Sequence, residues 1–164
     1  MYTITSPNQD SAFLKESVLD ILGQTKLLSM ATASSNSEPW INTAYFSYDD
    51  TLTLFIITYP NSKHIKNLNE NNQLAINIFD TGQNGDKKQG LQLAGMCSIV
   101  PNDQLEHALN IWGSRILGQD KLDQLLIDSK SWESKPYKIV IDYIKIFDEK
   151  RFGIETWIEC LVER

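Results

Sequence analysis

Residues 52–79 read LTLFIITYPNSKHIKNLNENNQLAINIF, and the parsing of this run decides the fold. Leu52 to Ile57 alternates and then runs apolar, so Leu52–Thr58 is expected to be a strand. A short helix begins after Asn61. Gln73 to Phe79 then alternates polar and apolar residues, as a half-buried strand does. The chain therefore leaves a sheet, makes one short helix and returns to a sheet. Ser62, Lys63 and His64 fall in the opening turn of that helix, where unpaired backbone N–H groups and the positive end of the macrodipole favour an anion. A hydroxyl, an ammonium and an imidazole added there suit a phosphate monoester. The competing reading is a capped surface helix whose polar residues face water, because a Ser-Lys pair is a weak motif by itself.

The flanking segments extend the sheet. Leu27–Ala33 reads as a strand, Ser34 to Ser37 as its turn, and Trp40–Ser47 as the returning strand, with Asp49 and Asp50 turning into Leu52. Leu91–Val100 is another strand, in which Gly95 marks a bulge or a close backbone approach. Tyr137–Phe147 and Thr156–Leu161 complete the strands. Helices lie outside this run. Ser6, Pro7 and Gln9 resemble a capping box opening a helix over about 7–22, with Leu14, Val18, Ile21 and Leu22 on one face and Gly23 as its stop. Pro101 to Asp103 is expected to cap a helix carrying Leu105, Leu109, Trp112 and Ile116, and Leu122, Leu125 and Leu126 indicate a second piece, so a helical insertion spans about 102–128. About six strands with hairpin-like connections predict a mainly β fold: a six-stranded antiparallel β-barrel with flanking α-helices, since closure removes exposed edges. No repeat or linker divides the 164 residues, which form one expected domain with the barrel over about 27–160.

Composition narrows the function. A net charge of −6 and a pI near 4.9 argue against nucleic acid or an anionic membrane as partner. No apolar run reaches membrane-spanning length and no basic leader precedes an apolar core, so a cytoplasmic location is expected. Cys97 and Cys160 lie in no zinc or dithiol spacing and sit among apolar neighbours, as buried free thiols do. The chain has two histidines, His64 and His107, in no metal-ligand spacing, and His107 beside Glu106 reads as a surface residue. Gly82 and Gly85 lack the spacing of a phosphate-binding glycine loop, so residues 80–88 read as a polar loop. No GxSxG elbow or Cys–His pair supports nucleophilic hydrolysis.

Three segments in this order, LLSMATASSNSEPWINTAYFSYDD, LTLFIITYPNSKHIKNLNENNQLAINIF and GLQLAGMCSIV, resemble the pyridoxamine 5'-phosphate oxidase-like family of FMN-binding split barrels, particularly its general-stress-protein branch. The resemblance runs from about Leu27 to Phe147. It implies a Greek-key split barrel, a homodimer and FMN bound in two clefts at the subunit interface. Carried over residue by residue, it implies that Thr58, Ser62, Lys63 and His64 hold the FMN phosphate. It also places Asn42, Thr43, Ala44 and Tyr45 beside the flavin ring, makes Gln92 a polar neighbour of it, and brings Trp157 near the other subunit's flavin. The vitamin-processing members carry an Arg and a Lys on the second strand, where this chain has Trp40, Asn42, Thr43 and Tyr45. Arg151 is the only C-terminal cation that matches their hold on a substrate phosphate. The expectation is therefore an FMN-dependent oxidoreductase acting on an unidentified small molecule other than pyridoxamine phosphate. The alternatives are a ligand-binding or sensing barrel for haem, a deazaflavin or a phosphorylated metabolite, and a cofactor-free interaction module.

Overall fold

Alternation along Gln73–Phe79 has its expected consequence: Leu74, Ile76 and Ile78 are buried while Ala75, Asn77 and Phe79 face outward. The computed structural model describes residues 1–83, 87–128 and 131–164. Gly85 of the expected polar loop and the side chain of Leu126 lie outside what is described. The strands are β1 (Thr3–Thr5), β2 (Leu27–Ala33), β3 (Pro39–Tyr48), β4 (Thr53–Thr58), β5 (Gln73–Phe79), β6 (Gln89–Ile99), β7 (Lys135–Asp148) and β8 (Trp157–Glu163). The α-helices are α1 (Ser11–Gln24), α2 (Lys63–Glu70), α3 (Leu105–Ile116), α4 (Leu122–Asp128) and α5 (Glu149–Phe152).

All pairings are antiparallel, and the order β7-β4-β3-β2-β5-β6 closes on itself when β6 pairs with β7. Three consecutive strands followed by β5 returning beside β2 make this closed six-stranded barrel a Greek key. β8 and β1 extend the sheet beyond it from one half of β7.

The fourteen-residue β7 serves both the barrel and the extension, and the device is a bulge. Register jumps from Ala94↔Tyr143 to Gly95↔Ile141, leaving Asp142 as the extra residue. At that point the opposite edge of β7 exchanges β4, its partner up to Val140, for β8, its partner from Tyr143. Gly95 is required here by close approach: a Cβ would stand 2.2 Å from the Val140 carbonyl oxygen.

Phe46, Met30, Leu54, Ile56, Ile139 and Ile144 fill the interior, and Leu14, Val18, Ile21 and Leu22 of α1 join the same cluster. One buried carboxylate ties the helix to the barrel. Asp148 is fully buried, accepts from Ser17 Oγ (2.7 Å) and Gln89 Nε2 (2.9 Å), and pairs with Arg151 Nε at 3.1 Å. A buried charge needs such partners, because an unpaired one is strongly destabilising.

Strand ends shift by one or two residues from expectation, and the larger differences lie at the N-terminus and at the helix ends. Residues 3–5 pair with Leu161–Glu163, which keeps the chain extended past the expected helix start. The helix then begins at Ser11, with the Asp10 carboxylate accepting from Phe13 N at 2.9 Å, whereas Ser6 accepts only a turn bond from Gln9 N. Gly23 lies inside α1 instead of ending it, and Thr25 takes the cap in extended conformation. Asn102–Gln104 form a single 3-10 turn ahead of α3, with no side chain capping that helix.

Gly95→Ala is expected to lower unfolding free energy by about 1–3 kcal/mol, the usual cost of overpacking. Urea denaturation with an unchanged slope would measure it, and a wild-type midpoint would show that the approach of β6 to β7 tolerates a methyl group.

Candidate functional site

β3 and β4 pair only through Phe46↔Ile56, Ser47↔Phe55 and Tyr48↔Leu54. Beyond these pairs β3 stays with β2 as far as Pro39↔Ala33, and β4 stays with β7 as far as Thr58↔Lys135. The barrel wall therefore splits, and the edge of β3 over residues 39–45 faces the gap without a strand partner. One of its carbonyls, that of Tyr45, accepts from Trp112 Nε1 at 3.3 Å.

Helix α2 enters at this split. Ile65 and Leu68 anchor it in the core, and Asn67 Nδ2 donates to Thr32 Oγ1 at 3.1 Å, a buried bond to the far end of β2. Its first turn is assembled unusually. Ser62 occupies the cap position in extended conformation, yet its hydroxyl caps no backbone amide. Instead Ser62 Oγ lies 3.1 Å from His64 Nε2, and Thr58 Oγ1 lies 2.9 Å from the same nitrogen. The first helical bond runs from Lys66 N to Ser62 O, so the amides of Lys63, His64 and Ile65 precede any helical acceptor. Lys63 stands at the rim with its ammonium 4.8 Å from the centre of the Trp40 ring. Residues 58–65 thus supply two hydroxyls, three amides and one cation, a donor set suited to an anion.

His64 is 5% exposed, and burial pushes its pKa below the ordinary imidazole value of 6.5. The ring is therefore neutral at physiological pH. Its tautomer follows from which hydroxyl protons point at it.

The other expected site residues divide by strand parity. Asn42 and Ala44 are half-buried and share the inward side of β3 with Phe46, next to the split. Thr43 and Tyr45 point outward. Register carries Thr43 around the barrel in one polar row: Thr43, Ser29, Asn77, Gln92, Lys145 and Glu159. Gln92 is exposed in that row, on β6. Trp157 lies beside it in an aromatic row with Phe147, and Lys145 Nζ is 4.5 Å from its ring centre. The protomer brings together Thr58, Ser62, Lys63, His64 and the inward residues of β3, and holds Gln92 and Trp157 on its outer face.

Remaining candidates are committed elsewhere. Arg151 pairs with Glu16, Asp20 and Asp148. His107 is exposed, as expected of a surface residue, and lies edge-on to Phe55 with Nε2 3.5 Å from Asp49. Burial raises the Cys97 thiol to about 12 and the Cys160 thiol to about 11, which makes both inert. No group of three metal-ligating side chains occurs among the described residues, and none of their helices is long and apolar enough to cross a membrane. Sequence reasoning missed Asn67 and Thr32 as the anchors of α2. The available signal was Asn67 lying at helical spacing beside Ile65 and Leu68, a polar group on a buried face that must find a partner.

Comparison with known proteins places this geometry. A model of the pyridoxamine 5'-phosphate oxidase family matches residues 14–141. The UPF0306 protein PM1958 of Pasteurella multocida is 25% identical over 143 residues, 87% of this chain and 88% of the relative. Among solved structures, the haem storage protein HutZ of Vibrio cholerae superposes with a TM-score of 0.64 at 19% identity, over 79% of this chain and 90% of that one. General Stress Protein 26 of Bacillus anthracis superposes with a TM-score of 0.61 at 21% identity, over 82% and 93%. At these identities the structures speak for the fold alone.

A neutral buried His64 has a pH signature. The unfolded chain takes up a proton near 6.5 that the folded chain resists, so stability is full above that pH and falls as pH drops through the lower folded value. Thermal melts between about pH 7.5 and about pH 5 are expected to fall less steeply for His64→Gln than for wild type. Parallel slopes would show that the imidazole titrates freely in the folded state.

Proposed function

The chain belongs to the pyridoxamine 5'-phosphate oxidase family, and from that premise we propose that it binds FMN and acts as an oxidoreductase on a small molecule. The observation that carries this reading is the open first turn of α2 at the split. A serine at a helix cap whose hydroxyl meets a side chain and none of the helix's own backbone amides leaves donors that a phosphate dianion satisfies. Ser62, Thr58, Lys63 and the first-turn amides would hold the phosphate, and the unpaired edge of β3 at Asn42 and Ala44 would border the isoalloxazine ring. FMN supplies the electron transfer when bound, so the protein needs no acid–base pair of its own. Residues 39–45 carry no cation, and Arg151 is engaged by three carboxylates. Neither place offers a free cation in support of pyridoxamine phosphate oxidation.

Haem is the second reading, favoured by the likeness to a haem storage protein. A side chain free to bind its iron is the difficulty. His64 Nε2 is shared by two hydroxyls, His107 Nε2 faces Asp49, and both thiols are far from thiolate at neutral pH. The donor set fits a phosphate better than an iron.

The reading includes a homodimer. Ile41, Tyr45, Leu27, Phe79, Trp157 and Leu161 are all exposed on the outer face of the sheet, a concentration of apolar surface that a monomer rarely shows to water. A second copy laid on that face would bring its Gln92 and Trp157 to the split of the first, giving two ligand clefts at the interface. The acidic balance gives no footprint for nucleic acid or for an anionic membrane.

Purified protein is expected to be yellow, or to gain melting temperature when FMN is added. Lys63→Ala should weaken FMN binding by roughly ten- to a hundredfold, the size of one charge-assisted hydrogen bond. A colourless protein whose melting is indifferent to FMN would refute the reading. Sedimentation of a monomer that still binds FMN tightly would refute only the interface.

A further inference from the structure

Where the hydroxyl of Ser62 goes is the unusual feature of the site. A serine at this position ordinarily accepts from a backbone amide two or three residues ahead and so satisfies its own helix. Here the imidazole of His64 takes it, together with the hydroxyl of Thr58 from the end of β4. The imidazole is itself almost removed from solvent, so it lies behind the two hydroxyls and not in front of them. One nitrogen facing two hydroxyls admits two arrangements. If Nε2 lacks a proton, the hydroxyls compete to donate to it and present their lone pairs to the gap. If Nε2 carries the proton, it donates to the hydroxyl oxygens, and both O–H protons turn away from the ring toward the gap.

We propose that His64 is a positioning residue for a phosphate monoester. In its Nε2–H tautomer it holds the oxygens of Thr58 and Ser62, aims both hydroxyl protons into the split, and keeps Ser62 from capping the amides that the phosphate needs. The neutral ring adds no charge, leaving Lys63 as the cation of the cradle. The inference rests on the FMN reading for the owner of the phosphate, but not for the arrangement of the three side chains.

The test compares FMN with riboflavin, which lacks the phosphate, by titrating the full-length protein. Wild type is expected to prefer FMN strongly. His64→Phe should cut that preference by roughly ten- to a hundredfold while leaving riboflavin affinity unchanged. His64→Gln, whose amide can reach the same oxygens, should recover most of it. In a Thr58→Val/Ser62→Ala background the effect of His64→Phe should vanish, because the imidazole then has nothing to aim. An unchanged FMN-to-riboflavin ratio in His64→Phe, or a loss that persists undiminished without the hydroxyls, would overturn the proposal. Nitrogen-15 NMR of the wild-type ring covers the case in which His64→Phe fails to fold. Inorganic phosphate should fix a protonated Nε2 and an unprotonated Nδ1, and a doubly protonated or unresponsive ring would overturn the proposal. If wild type binds neither flavin, the functional reading fails alone, and the phosphate-loaded ring spectrum still decides the role of His64.

Discussion

Three residue pairs between β3 and β4 are the constraint on which the rest of the site depends. A barrel wall with continuous pairing would leave no backbone donors free and no room for a helix end. Here β4 continues on β7 after leaving β3, because β7 holds it as far as Thr58. β7 can do so and still support β8 because the bulge at Asp142, seated against Gly95, changes its direction and its neighbour together. A glycine on β6 is thus coupled, through the path of β7, to an opening on the far side of β4.

The helix that fills the opening is held by its middle and left unsatisfied at its start. Ile65, Leu68 and the Asn67–Thr32 bond fix its position, so the first turn is not needed to anchor it. Forgoing a serine cap costs about 1 kcal/mol. A fold that gives up that amount where a suitable hydroxyl is already present has put the hydroxyl to another use. Under the proposed phosphate reading, stability and ligand recognition compete for the same three amides, and the imidazole decides the competition in favour of recognition.

Much of the architecture was legible because barrel walls advertise themselves by period. β5 alternates without exception, Gly95 announced a close approach, and the change of pattern at Ser62 marked α2. What was not legible depended on partners distant in sequence. Nothing in residues 3–5 marks a strand until Leu161–Glu163 are beside them, and that pairing moved the start of α1 from Pro7 to Ser11. The donor types of the cradle could be listed from the sequence, but their relations could not. His64 reads there as an imidazole offered directly to a phosphate, whereas tertiary packing buries it and sets two hydroxyls on one nitrogen. Arg151 likewise reads as an available cation until Glu16, Asp20 and Asp148 close around it.

Strand parity supplies the last step. Asn42 and Ala44 lie on the inward side of β3 at the split, while Thr43 and Tyr45, one residue away, belong to the outer face that also carries Gln92 and Trp157. A shift of β3 by one residue would exchange the two sets, but it would also expose Phe46 and break the core. In the proposed homodimer a ligand touching both sets would meet them from two copies, one offering its split and the other its outer face. The apolar residues of that face and the incomplete wall of the cradle would then have a common cause, because each surface lacks what the other presents.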